Sequence, residues 1–116
     1  MVENASVSGL AFTPDGNSLV IGFMDSSIVV WDLRQKKPRL NYYVRDVSVM
    51  SVAVAPDGRT YVTGGADGKI YLWDAGSGER KGVLAAHAGP VRALAFSPAG
   101  DTLASGGDDG KIILWR

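Results

Sequence analysis

The sequence predicts an all-β fold built from repeated four-stranded antiparallel sheets, on three observations. Trp31, Trp73 and Trp115 follow one another at intervals of 42 residues. The same register holds Pro14, Pro56 and Pro98; Gly16, Gly58 and Gly100; Asp25, Asp67 and Asp109; and Ile28, Ile70 and Ile112. A fixed period of this kind marks a repeated supersecondary unit. Inside each unit, short apolar runs are separated by Gly, Pro and Asp, which punctuate strands, and helical spacing is absent.

The elements are clearest in the last unit. Val91 to Phe96 is a mostly apolar run closed by Ser97-Pro98-Ala99-Gly100, whose proline and glycine favour a tight turn; it is assigned the innermost strand. Thr102 to Gly106 follows as the second strand, then the turn Gly107-Asp108-Asp109-Gly110, then Lys111 to Trp115 as the third. Asp-Gly between two such runs is a strong hairpin signal, because the turn needs positive φ. The middle unit repeats the pattern around Ala66-Asp67-Gly68. The first has Met24-Asp25-Ser26-Ser27, which lacks the glycine and specifies its hairpin less well. A more polar fourth strand is expected from Arg39 to Val44 and from Arg80 to Ala85, as suits an outer edge.

A period in the low forties with four short strands per unit is that of propeller blades, sheets standing radially around an axis. The whole chain, 1–116, is read as one partial propeller with repeats at approximately 4–45, 46–87 and 88–116. That makes two full blades and three strands of a third. The strand runs are almost continuously apolar, so neighbouring blades are expected to cover both faces of each sheet. The three tryptophans, at fixed phase on third strands, are expected between blades rather than as base-stacking platforms.

Composition excludes several classes of function. Lys plus Arg and Asp plus Glu are balanced at 12 each, so no net field gathers nucleic acid or an anionic membrane. There is no cysteine and one histidine, His87, so neither disulfides nor thiolate or all-histidine metal sites are expected. No run reaches the ~18 apolar residues of a membrane-spanning helix. Residues 1–6 do not read as a signal peptide. A cytoplasmic, intracellular location is therefore the expectation, and Asn4-Ala5-Ser6 is taken as a chance match to the glycosylation pattern.

The segment Leu103-Ala104-Ser105-Gly106-Gly107-Asp108-Asp109-Gly110-Lys111-Ile112-Ile113-Leu114-Trp115 resembles the core of a WD40 repeat. Tyr61 to Asp74 and Leu19 to Asp32 are similar to it in the same register, so the resemblance to WD-repeat β-propellers covers almost the whole chain. The name dipeptide stands as Trp31-Asp32 and Trp73-Asp74, while the third copy ends Trp115-Arg116. The resemblance implies a hydrogen-bonded network in each blade, made by a histidine, a Ser or Thr of the second strand, the hairpin Asp and the Trp. It is complete only as His87, Ser105, Asp109 and Trp115. The middle blade has Thr63, Asp67 and Trp73, with Arg45 in the histidine's place. The first has only Asp25 and Trp31, with Glu3 in that place. The third blade is expected to be the stiffest. A ring needs at least about four blades, so completion is expected from the remaining blades of a longer chain or from further copies.

Ser105, His87 and Asp109 have the residue types of a nucleophilic triad, but no oxyanion donors or strained nucleophile turn accompany them, and catalysis is not expected. The turns Gly64 to Lys69 and Gly106 to Lys111 fail the phosphate-loop pattern, because Thr63 and Ser105 stand where it requires a glycine. Calcium-loop spacing is missing too, and no cofactor or metal is expected. The basic cluster Arg34, Lys36, Lys37 and Arg39 around Pro38 is read as a solvated loop between third and fourth strands. The resemblance implies an interaction scaffold whose narrow-face loops contact proteins or peptides. The implied contact residues are Ser6, Ser8 and Met24; Ser48, Met50 and Ala66; and Pro90, Arg92 and Asp108. Arg92 is the expected anchor. Nucleic acid is not favoured and no membrane contact is expected. The alternatives are an architectural subunit that packs through blade faces or closes a ring with its own copies, and, ranked last, an enzyme or small-molecule sensor.

Overall fold

In the computed structural model, which describes residues 6–44 and 47–116, the apolar runs form three antiparallel sheets. The first holds β1 (Val7–Phe12), β2 (Ser18–Phe23), β3 (Ser27–Asp32) and β4 (Lys37–Tyr43) in that order. The second holds β5 (Val49–Val54), β6 (Thr60–Gly65), β7 (Lys69–Asp74) and β8 (Arg80–Ala85). The third holds β9 (Val91–Phe96), β10 (Leu103–Gly107) and β11 (Ile112–Trp115). No helix occurs among the described residues. These are propeller blades, each a meander in which every strand pairs with its chain neighbour.

Glycine phase explains the turns. Gly16, Gly58 and Gly100 all take positive φ after the first strand, and Gly68 and Gly110 take it in the second hairpin. Ser26 occupies that last position in the first blade with φ 79°, and its N–H bonds Phe23 O as Gly68 N–H bonds Gly65 O. The hairpin lacking glycine thus closes in the same geometry. Asp25 supports it by accepting from the Ser27 N–H and Oγ at 3.0 and 2.5 Å.

The fourth strand of the first blade begins earlier than expected, at Lys37. A register shift between Val30 and Trp31 brings Pro38 opposite Trp31 on the outer edge strand, where a missing N–H is tolerated. The basic cluster is consequently not one loop. Arg34 and Lys36 lie in the turn, whereas Lys37 and Arg39 stand on β4, and Arg39 reaches the second blade to donate to Ala75 O and Gly76 O.

The core lies between the sheets. Val20, Ile28, Val30 and Val44 pack against Val49, Tyr61, Tyr71 and Trp73 to join the first two blades. Ala53, Val62 and Ile70 meet Val91 and Leu103, with Trp115 and Phe96 alongside, to join the second and third. Trp73 and Trp115 thus lie between blades, while Trp31 packs with Leu19 on Ile21, Phe23 and Val29. Coverage of both faces holds for the middle sheet only. Val7, Leu10 and Phe12 on one end and Ile112 and Leu114 on the other are exposed.

Candidate functional site

Each inner strand is irregular at the same place. Val7 pairs with Phe23 and Gly9 with Gly22; Val49 with Gly65 and Ser51 with Gly64; Val91 with Gly107 and Ala93 with Gly106. One residue is left over in each strand, namely Ser8, Met50 and Arg92. A β-bulge of this kind re-aims the extra side chain at the end of a sheet. The hairpin turn closes beside it by a repeated backbone bond: Met24 N–H to Ser6 O, Ala66 N–H to Ser48 O and Asp108 N–H to Pro90 O, at 2.9, 3.0 and 3.0 Å. All nine residues implied as contacts by the resemblance therefore line one rim, three from each blade.

Their chemistry differs along that rim. Ser8 Oγ donates to the carbonyls of Gly22 and Val49, and Ser48 Oγ donates to Met24 O at 2.8 Å, so both hydroxyls are engaged within the fold. Met24 is exposed and Met50 half-buried. In the third blade Arg92 and Asp108 form a two-pronged pair, Nε to Oδ1 at 2.9 Å and Nη2 to Oδ2 at 3.1 Å, about half exposed on each side. The hydrogen bond from Arg92 holds the Asp108 carboxyl below its ordinary range. The rim thus carries methionines and bonded serines in the first two blades and an oriented ion pair in the third.

The four network residues of the third blade are bonded in series. Trp115 Nε1–H donates to Ser105 Oγ at 3.1 Å, Ser105 Oγ meets His87 Nε2 at 2.9 Å, and His87 Nδ1 meets the Asp109 carboxylate at 2.9 and 3.1 Å. Burial pushes the Asp109 carboxyl up, but the N–H groups of Ala88 and Lys111 and the His87 ring outweigh it and lower it to about 2. An ionised carboxylate only accepts, so Nδ1–H of His87 donates to Asp109. The His87 side chain is fully buried. A Cβ on Gly107 would stand 2.7 Å from its ring, so only glycine admits it there.

The other blades solve the same problem differently. Trp73 Nε1–H donates to Thr63 Oγ1 at 3.0 Å, as Trp115 does to Ser105. Asp67 receives the Tyr71 hydroxyl at 2.6 Å, a partner the sequence reading missed. In the first blade Asp25 turns to Ser27, and the structure does not join it to Trp31. Glu3 and Arg45, the counterparts of His87, lie outside the described residues, as does Asn4.

Two further features were not foreseen. Ser51 Oγ, buried, donates across blades to Val91 O at 2.9 Å, a bond invisible to a one-blade motif. At the opposite rim a groove of about 350 Å³ opens between the first two blades beside Asp15, Asp57 and Arg39. Among the described residues no three His, Cys, Asp or Glu side chains converge as metal ligands would.

Comparison with known proteins agrees with this architecture. The sequence matches the WD40 family, described as WD domain, G-beta repeat, over residues 3–32, 38–74 and 78–116. No curated protein matches it by sequence. Among solved structures, the WD40 repeats of RRP9 superpose with a TM-score of 0.93 and U3-55K with 0.94, each at 22% identity and over 99% of this chain. The chain spans 36% and 37% of those two chains, just over a third of their length.

Proposed function

Since the chain belongs to the WD40 family, we propose that it is a binding scaffold whose bulge-and-hairpin rim engages a protein or peptide, with no catalytic step of its own. The observation that carries this reading is the threefold repeat of one bulge and one hairpin bond, which sets Ser8, Met50 and Arg92 at equivalent places on one rim. Sites held by packed strands keep their geometry without the ordering cost of a loop. Arg92 is the anchor, since the bidentate contact to Asp108 orients its guanidinium at the surface and arginine is enriched among binding hot spots. Ser105 is a structural hydroxyl in this reading: it is buried and accepts the Trp115 N–H, which leaves no path for a substrate to reach it.

The test compares proteins retained from cell extract by the immobilised wild-type chain, by Arg92→Ala and by Lys37→Ala on the distant outer strand. Specific prey should fall tenfold or more with Arg92→Ala and stay with Lys37→Ala. Equal retention by all three overturns the assignment of the rim.

A further inference from the structure

The groove between the first two blades, at the rim opposite the proposed contact surface, gathers charges that the fold itself does not pair. Pro14 packs over the neighbouring turn, where a Cβ on Gly58 would lie 3.7 Å from Pro14 Cδ, so Asp15 and Asp57 stand on adjoining walls. Each carboxylate commits Oδ1 to its own turn. Asp15 accepts from the Asn17 N–H at 2.9 Å and the Thr13 hydroxyl at 2.7 Å, and Asp57 accepts from the Arg59 N–H at 2.9 Å. Arg39 forms a third wall, donating to Gly76 O at 3.3 Å and Ala75 O at 3.1 Å. The ion pairs among the described residues, His87–Asp109 and Arg92–Asp108, include none of these three charges.

A second observation points to the same place. Tyr61 is 1% exposed, and its hydroxyl, alone among the described side chains, is buried without a hydrogen-bond partner, a state that buried polar groups rarely keep. Tyr61 shares its core cluster with Ala75, which lines the groove, and Arg39 is the charge that acts most strongly on its hydroxyl, so that hydroxyl lies against the Arg39 wall. Burial raises its ionisation above the neutral range, and it remains a donor there. Neither feature belongs to the repeat. Leu19 and Leu103 hold the phase of Tyr61 in the other blades, and Ala99 stands one period after Asp57.

We propose that this groove takes an arginine side chain of a partner polypeptide, with the guanidinium between Asp15 and Asp57 and the adjoining peptide carbonyl turned to Arg39 and the Tyr61 hydroxyl. Two carboxylates on separate turns suit a planar fork of N–H donors better than a point charge. The opposite wall offers donors only, so the occupant brings an acceptor together with its cation, as a peptide does. A volume of about 350 Å³ stands at the small end of ligand sites, which run to about 1,000 Å³, and suits one side chain with its peptide groups. The inference is independent of the Arg92 rim, which lies at the other end of the blades.

The experiment is an amide NMR titration of the full 116-residue chain with three probes. N-acetyl-arginine amide carries charge and peptide groups, N-acetyl-citrulline amide has the same shape without the charge, and ethylguanidinium has the charge without the peptide groups. The arginine probe should saturably shift the amides of Asp15, Gly16, Asp57, Gly58 and Gly76. The citrulline probe should bind about tenfold more weakly, and ethylguanidinium about threefold. Asp15→Asn and Asp57→Asn keep the oxygen that caps each turn and remove the charge; each should weaken the arginine probe about fivefold at unchanged melting temperature. Tyr61→Phe should weaken the arginine probe, leave ethylguanidinium as it was and cost no stability, since the hydroxyl bonds nothing in the free chain. Arg92→Ala should change none of these. No saturable shift at the groove, equal binding of the citrulline probe, or full affinity in either Asn variant would each overturn the proposal. Equal binding of ethylguanidinium would overturn its assignment to a polypeptide, and a loss of stability in Tyr61→Phe would overturn the part given to that hydroxyl.

Discussion

Tyr71 donates its hydroxyl proton to Asp67 Oδ2 at 2.6 Å, where the third blade sets His87 against Asp109. A ring on the third strand thereby does for the middle hairpin what an incoming histidine does for the next. Burial, with help from the Asp67 bond, pushes the Tyr71 hydroxyl up to about 12, so it remains a donor through the neutral range. Tyr71→Phe removes one hydrogen bond and keeps the packing against Trp73. It should cost about 0.5–1.5 kcal/mol in urea unfolding at fixed protein concentration.

Ser105 joins Trp115 to His87, so Ser105→Ala leaves an indole N–H and a ring nitrogen without partners. The loss should be about 1–3 kcal/mol, larger than for Tyr71→Phe, because unsatisfied buried groups carry their full desolvation cost. Ser105→Thr should recover most of it, since Thr63 fills this role for Trp73 in the middle blade. Equal stability of the Ala and Thr variants would show that the series carries no weight.

Asp109 ionises at about 2 in the folded chain against 3.8 for the ordinary carboxyl. A folded value below the unfolded one means that the ionised group stabilises the fold above about pH 4. That contribution is lost as pH falls from about 4 towards 2, where the folded form also takes up the proton. Wild type and Asp109→Asn should therefore differ in stability at pH 7 and converge near pH 2. A gap that is constant across that window would assign the cost to shape instead of charge.

Ser26 holds φ 79° where Gly68 and Gly110 stand in the other blades. A non-glycine residue in this region costs roughly 1–2 kcal/mol, part of which the stiffer unfolded chain returns. Ser26→Gly should stabilise the first blade by about 0.5 kcal/mol, measured by thermal unfolding. A loss of stability would mean that the Ser26 side chain holds the hairpin in another way.

Much of this was legible in the residues because the repeat prints each packing rule three times. The strand order and the tight turns follow from residue type at fixed phase, and the series from Trp115 to Asp109 from the resemblance to a WD40 repeat. The substitutes were not legible. Nothing in the spacing says that Tyr71 will answer Asp67, because a tyrosine on an apolar strand reads as core. Arg39 read both as the start of the fourth strand and as part of a solvated basic cluster, and only the packing of the blades shows it donating to the second blade's carbonyls.

By itself the sequence determined the period, the blade architecture and the glycine turns after the first and second strands, since these depend on local backbone preference and on which side chains alternate along a strand. The tertiary structure alone decided which of three equivalent residues is covered. Val7, Val49 and Val91 are identical in type and phase, yet one is exposed and two are buried. Burial belongs to the space between sheets rather than to the residue, so a repeat that is uniform in sequence becomes unequal at the ends of its stack.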